Sequence, residues 1–279
     1  MKKFVCALMA GLMVLGGSGC AGGIGGEKGA DGWKPRLALQ LYSFRDRSFT
    51  EAVVAAKRLG FQYVEAYPGQ KLGGSFAGDM SFKMPVAQRE EIKRFLNEQG
   101  VKLVSFGVVG AGSEREWTQL FQFAQDMGIE IVQVEAGKSP EVLDMLNVMA
   151  FRHTVKVALH NHAQAAGYPS AMATQLQGRP NLGAGPDTGH WVCAGSNPRA
   201  GIKELEGTCF TLHLVDMDKF GKDGRVVPYG KGVADLKGVL AELRKQGFEG
   251  TVTCEYEYMS PKLEEEIGEC VRWYNGVLP

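Results

Sequence analysis

The chain has 279 residues, 44% of them hydrophobic, and 31 basic residues balance 31 acidic ones. That length suits one large α/β domain or two small ones, and the even charge offers no electrostatic footprint for nucleic acid. The spacing of the six cysteines fits no CxxC zinc pattern.

The first segment, "MKKFVCALMAGLMVLGGSGC" (1–20), places Lys2 and Lys3 before an apolar run that ends in small residues. It reads as a secretory signal, too short and Gly-rich in its apolar part to span a membrane. Gly17, Ser18 and Gly19 before Cys20 resemble a bacterial lipobox. The expectation is lipidation at Cys20 and an exported, periplasmic lipoprotein held to the membrane only by that anchor. Without Lys2 and Lys3 the balance tips slightly acidic. Residues 21–35, rich in Gly, read as a flexible tether. Cys193, Cys209, Cys254 and Cys270 remain, and small buried side chains are the simplest reading for most of them.

From Arg36 onward, short apolar runs alternate with amphipathic stretches. "RLALQLYSF" precedes "FTEAVVAAKRLG", "YVEAYPG" precedes "PVAQREEIKRFLNEQG", and "KLVSFGVVG" precedes "SEREWTQLFQFAQDMG". "IEIVQVEAG" leads to "SPEVLDMLNVMAFRH", and "VKVALHNHA" to "SAMATQLQGR". "LGAGPDTGHW", "TCFTLHLVDMD" and "TVTCEYEYM" open the last three units. The strand candidates are bounded by Gly, Pro or Asp, and the helices carry i, i+3, i+4 apolar spacing. Gly60, Gly100, Gly128 and Gly247 close helices, whereas the fourth helix has no such glycine. Residues 70–84 read as a long loop. Eight strand–helix units are what a (β/α)8 TIM barrel requires, so the fold class is α/β, a single barrel over 36–279. A doubly wound sheet would show GxGxxG after the first strand, and none is present.

In such barrels the chemistry sits at the C-terminal ends of the strands. Strand two ends at Glu65, strand four at Glu135, strand five at His160 and His162, and strand six at Asp187 and His190. Strand seven ends at His213 and Asp216, and strand eight at Glu255 and Glu257. Four of the five histidines lie at these ends; His153 does not. Alternation would aim His160 and His162 to one face and Asn161 to the other. Each residue also has a structural reading: Asp187 as a helix cap, Asp216 as a loop fastener, Glu257 as a solvated carboxylate. Carboxylates with imidazoles suit one divalent ion such as Mn²⁺, Mg²⁺, Co²⁺ or Zn²⁺.

In this order, "ALHNHA", "PDTGHWV", "LHLVDMDKFG", "VPYGKGVADLKGVL" and "CEYEY" resemble the sugar phosphate isomerase/epimerase family, with its xylose-isomerase-like TIM barrel. The resemblance covers about residues 36–278 and implies one divalent metal held by Glu, Asp, His and Glu. By motif, Asp187, His213 and Glu255 are ligands. Many relatives carry a glutamate where this chain has His160, so the fourth ligand is either His160 itself or Glu135 from the neighbouring strand; Glu135 is the expectation, with His160 handling substrate or protons. Glu135, Glu255 and His160 are the candidate catalytic residues. His162, His190, Asp216, Glu65 and Lys231 are expected to contact substrate. Pro186 beside Asp187 departs from a regular strand.

The chemistry implied is proton abstraction beside a carbonyl of a sugar or keto-sugar, through a metal-stabilised enediolate that is then isomerised or epimerised. With a leaving group on the β-carbon the same chemistry gives a lyase or dehydratase acting on a keto-glycoside. A non-catalytic sugar-binding lipoprotein is the rival outside enzymology. The apurinic endonuclease branch of the fold needs more histidines and a basic face, which the chain lacks. The partner is a small carbohydrate, unphosphorylated if the protein is exported, and the sequence leaves the oligomeric state open.

Overall fold

The computed structural model describes residues 32–278. Its eight barrel strands are β1 (Arg36–Gln40), β2 (Tyr63–Ala66), β3 (Lys102–Phe106), β4 (Ile131–Glu135), β5 (Lys156–His160), β6 (Leu182–Gly185), β7 (Thr211–Leu214) and β8 (Thr251–Cys254). All are parallel and lie in the order β6-β5-β4-β3-β2-β1-β8-β7. The ends of this sheet meet: the Ala184 amide donates to the Thr208 carbonyl and the Phe210 amide to the Ala184 carbonyl, both at 2.8 Å. A nearly closed barrel results, with no long free edge.

Helices alternate with the strands: α1 (Phe49–Arg58), α2 (Val86–Gln99), α3 (Glu114–Met127), α4 (Pro140–His153), α5 (Pro169–Leu176), α6 (Thr188–Cys193), α7 (Pro198–Glu204), α8 (Leu236–Lys245) and α9 (Leu263–Val277). Apolar faces such as Phe121, Phe123 and Ala124 of α3 pack inward, fully buried. Caps fix where helices begin. Ser48 and Glu51 form a reciprocal capping box on α1, and the Ser113 and Ser139 hydroxyls accept from the third amides of α3 and α4. Gly100 and Gly128 end their helices in the left-handed region, as the sequence predicts. The fourth helix solves its missing glycine with Thr154, which takes φ 54° itself, a conformation costing a non-glycine residue roughly 1–2 kcal/mol.

Three stretches differ from expectation. Residues 70–84 are not bare loop: Lys71–Gly73 pairs antiparallel with Phe76–Asp79, and Gly74 at φ 61° supplies the tight turn. The unit after β6 carries an extra short helix, α6. The end of the predicted tether is docked, since the Trp33 indole donates to the Phe248 carbonyl at 2.8 Å and Tyr274 donates to the Pro35 carbonyl at 3.0 Å. The signal segment and Cys20 lie outside the described residues. Among the described residues the four cysteines are free, and no helix is long and apolar enough to cross a membrane.

Candidate metal and substrate site

The C-terminal ends of the strands converge on His213. Its Nδ1 lies 2.7 Å from Glu255 Oε2 and 3.7 Å from Asp187 Oδ2, while Nε2 lies 3.0 Å from Glu65 Oε1. All four residues are at most 7% exposed. Burial alone would keep this imidazole neutral, but the carboxylates of Glu65 and Glu255 hold its pKa well above the usual value. The Asp187 carboxyl is pushed up by burial and by the like charge of Glu255, against the opposing pull of His190 and His213.

Local structure explains how Asp187 reaches this place. Pro186 lies just past β6, so the strand ladder loses no donor, and its carbonyl accepts the His213 amide at 2.8 Å. Asp187 then caps α6: Oδ1 accepts the His190 amide at 2.7 Å, leaving Oδ2 for the site. Asn161 clamps the same turn from β5's side, accepting the Asp187 amide at 2.8 Å and donating to its carbonyl at 3.2 Å. One oxygen of Asp187 thus caps the helix, and the other faces His213.

His160, at the end of β5, is 2% exposed, and its ring centroid lies 4.9 Å from that of His213. Ligand atoms of His160, Asp187 and His213 lie within 4.8 Å of one another. Burial, followed by the neighbouring imidazoles, keeps His160 well below its usual pKa, hence neutral, which is the form that ligates a metal. Its Nδ1 is buried without a hydrogen-bond partner. A donor set of one carboxylate and two imidazoles, one with an orphaned nitrogen, fits a divalent ion, and Glu255 stands beside it against His213 Nδ1. His162 and His190 stand beside it, with centroids 5.0 and 6.0 Å from His160.

The structure does not bring Glu135 into this group. Its carboxylate accepts from His162 Nδ1 and Gln164 Nε2, and His160 occupies the space beside Asp187 and His213 instead. Burial raises the Glu135 pKa, but these two partners outweigh it and bring it below normal; His162 in turn is raised, chiefly by Glu135.

Three residues expected to contact substrate have their polar atoms engaged within the chain. Glu65 is completely buried and touches His213, Gln40 (2.7 Å) and Gln133 (2.6 Å). Asp216 is 1% exposed and fastens its own loop, accepting amides from Met217, Gly230, Gly232 and Ala234 at 2.8–3.2 Å. Those contacts occupy the Gly230 and Gly232 amides, and Lys231 turns outward to Glu269 on α9.

Gln40, Gln133 and Asn161 escaped the sequence reading. Their signal was present: polar side chains within or just after apolar strands demand a buried partner. Gln133 donates to both oxygens of Glu65 and holds it under His213. Space for that amide depends on Gly185, where a Cβ would meet Gln133 Oε1 at 2.6 Å and Ala158 Cβ at 2.9 Å.

No curated protein matches the chain. Among solved structures, an uncharacterised protein from Parabacteroides distasonis shares 27% identity at a TM-score of 0.71, over 87% of this chain and 98% of that one. A D-allulose 3-epimerase from Methylomonas sp. superimposes with TM-score 0.67 at 12% identity, over 88% and 98% of the two chains. The IolI protein, crystallised with a bound zinc atom, gives 0.64 at 17% identity over 87% and 98%. The profile of the xylose isomerase-like TIM barrel matches residues 53–276, and the chain belongs to that family.

Proposed function

We propose that this protein is a divalent-metal-dependent isomerase or epimerase of a sugar or keto-sugar. The observation that carries the reading is the buried convergence of Asp187, Glu255 and His213 with His160 at the barrel mouth. Buried carboxylates meeting around one imidazole are costly unless a cation joins them. Asp187, His213 and Glu255 would hold the ion, with His160 rather than Glu135 as the fourth ligand. A divalent ion there supplies a Lewis acid that offsets negative charge developing on the substrate oxygens. The fold relationship to an epimerase and to a zinc-containing protein supports the same reading.

The chain's own groups move the proton. Glu255 at the end of β8 takes it from the carbon beside the carbonyl, because its carboxylate is the more exposed partner in the contact with His213. His162, held by Glu135 through Nδ1, keeps Nε2 free to return a proton from β5's side of the mouth. His190, with its ring 4.8 Å from that of His162, lies where a substrate hydroxyl would be bound. Glu65 orders the His213 ring from beneath, as carboxylates do for metal-bound histidines. Metal analysis of the purified chain, followed by solvent deuterium exchange into a panel of sugars and keto-glycosides, tests this. One bound ion and exchange at a single carbon are expected. Absence of both would overturn the proposal, and release of a β-substituent during exchange would make the enzyme a lyase.

A further inference from the structure

Exposed aromatic rings are unevenly distributed. Among the described residues they are Phe151 on α4 and four others, Tyr42, Tyr168, Phe220 and Tyr258, all on loops leaving the C-terminal ends of strands. Two of the four belong to one connected arc. Tyr42 follows β1 and meets Tyr67, which follows β2, edge to face with centroids 5.1 Å apart. The Arg45 guanidinium lies over the Tyr42 ring, 5.1 Å from its centroid, and donates to the Glu257 carbonyl at 2.6 Å. That bond ties the β1 loop to the β8 loop, whose next residue is Tyr258. Arg225, from the loop after β7, lies 5.6 Å from the Tyr258 ring centroid.

The arc stands on the loops that leave the strands whose ends form the polar floor. Tyr42 stands two residues beyond Gln40, Tyr67 two beyond Glu65, and Tyr258 three beyond Glu255. Exposed apolar surface beside a polar pocket marks a binding region. Tyrosine offers an apolar face with a hydroxyl at its edge, which suits a pyranose or aryl ring carrying C–H groups on its face and polar groups around its rim.

We propose that the Tyr42–Tyr67–Tyr258 arc is a subsite for a second ring, and that the substrate is a glycoside rather than a free monosaccharide. The reacting sugar lies on the Asp187–His213–Glu255 floor and the attached ring against Tyr42 and Tyr258. This inference rests on the metal-dependent sugar reading above.

Titration calorimetry on the full-length, Zn²⁺-loaded chain tests it, with glucose, galactose and xylose each compared with its phenyl β-glycoside. At least one glycoside binds more tightly than its parent sugar. Stacking on each ring is worth roughly threefold to tenfold in affinity. The Tyr42→Ala/Tyr258→Ala variant loses that advantage and keeps its affinity for the parent sugar within about twofold. Tyr42→Phe retains the advantage, because the ring remains. Parent sugars that bind as well as their glycosides would overturn the subsite and leave the metal-site reading standing. So would a double variant that weakens both ligands equally. If neither ligand of any pair binds, the subsite proposal fails, and deuterium exchange into the keto-glycosides decides the functional reading separately.

Discussion

The two ends of the barrel use the same kinds of polar residue to opposite effect. At the N-terminal end, Arg36 grips Glu130 with two parallel bonds of 2.8 and 2.7 Å and reaches Thr251 at 3.1 Å. This pair lines a hollow of about 510 Å³ with Lys156, His153 and Glu249, and its members are 33% and 41% exposed. His153 is satisfied there too, bonded to Gln125 at 2.7 Å and stacked on Phe121. At the mouth, Glu65, Asp187 and Glu255 all make their ion pairs with one imidazole, His213, with little or no exposure to water. Cation and anion match at one end. At the other, carboxylates outnumber their partner where the dielectric is low and unpaired charge is most costly. On the proposed function, the charge missing at the mouth is that of the divalent ion.

The largest effects should follow from removing what surrounds that missing charge. His213→Ala and Asp187→Asn should each weaken divalent-ion binding by more than the roughly 10–100-fold typical of an outer partner. Competition with a chromophoric chelator measures this, with circular dichroism confirming that the variants fold. Wild-type affinity in both would mean that the mouth is as self-sufficient as the opposite end. The fourth ligand comes next. His160→Ala should lose metal on the same scale, whereas Glu135→Gln should keep the metal and lose turnover, because it frees His162. The reverse result would restore Glu135 to the ligand set.

These assignments separate what the chain order reveals from what closure of the barrel creates. The strand–helix rhythm and the glycine-capped helices follow from local periodicity and turn chemistry, so they were legible. The convergence of Asp187, His213 and Glu255 was legible as well, because strand ends of a barrel point to one place. His160 and Glu135 could not be separated that way, since they are register partners on adjacent strands. What separates them is the loop after β5, which sends His162 and Gln164 back to the Glu135 carboxylate. The depth of Glu65 depends on Gln40 and Gln133 arriving from two other strands. Asp216 is spoken for by amides up to 18 residues away, and Lys231 by a carboxylate 38 residues on. Long-range partners of that kind leave no local pattern.

Glu65 offers an intermediate test, because it acts through His213 and not on the ion. Glu65→Gln preserves shape and removes a buried charge, so folding stability should stay level or rise. Metal affinity should nevertheless fall by about 10–100-fold as the imidazole loses its oriented acceptor. Equal metal affinity in the variant and wild type would reduce Glu65 to packing.

The smallest effect belongs to the opposite end of the barrel. Arg36 lowers the pKa of Glu130 through its side-chain bonds, against the opposing effect of partial burial. A carboxyl whose folded pKa is depressed contributes stability that is present above its unfolded value. That contribution is lost as pH falls through the folded one. Both side chains are partly exposed, so the pair is screened, and Arg36→Ala should cost no more than about 1 kcal/mol at neutral pH. In urea titrations the gap between wild type and variant should narrow below roughly pH 4, where a glutamate of the unfolded chain takes up its proton, and should shrink with added salt. Metal affinity should not change. If Arg36→Ala weakened the ion as much as Glu65→Gln does, the two ends would be coupled through the strands, and their contrast would not be one of local charge balance.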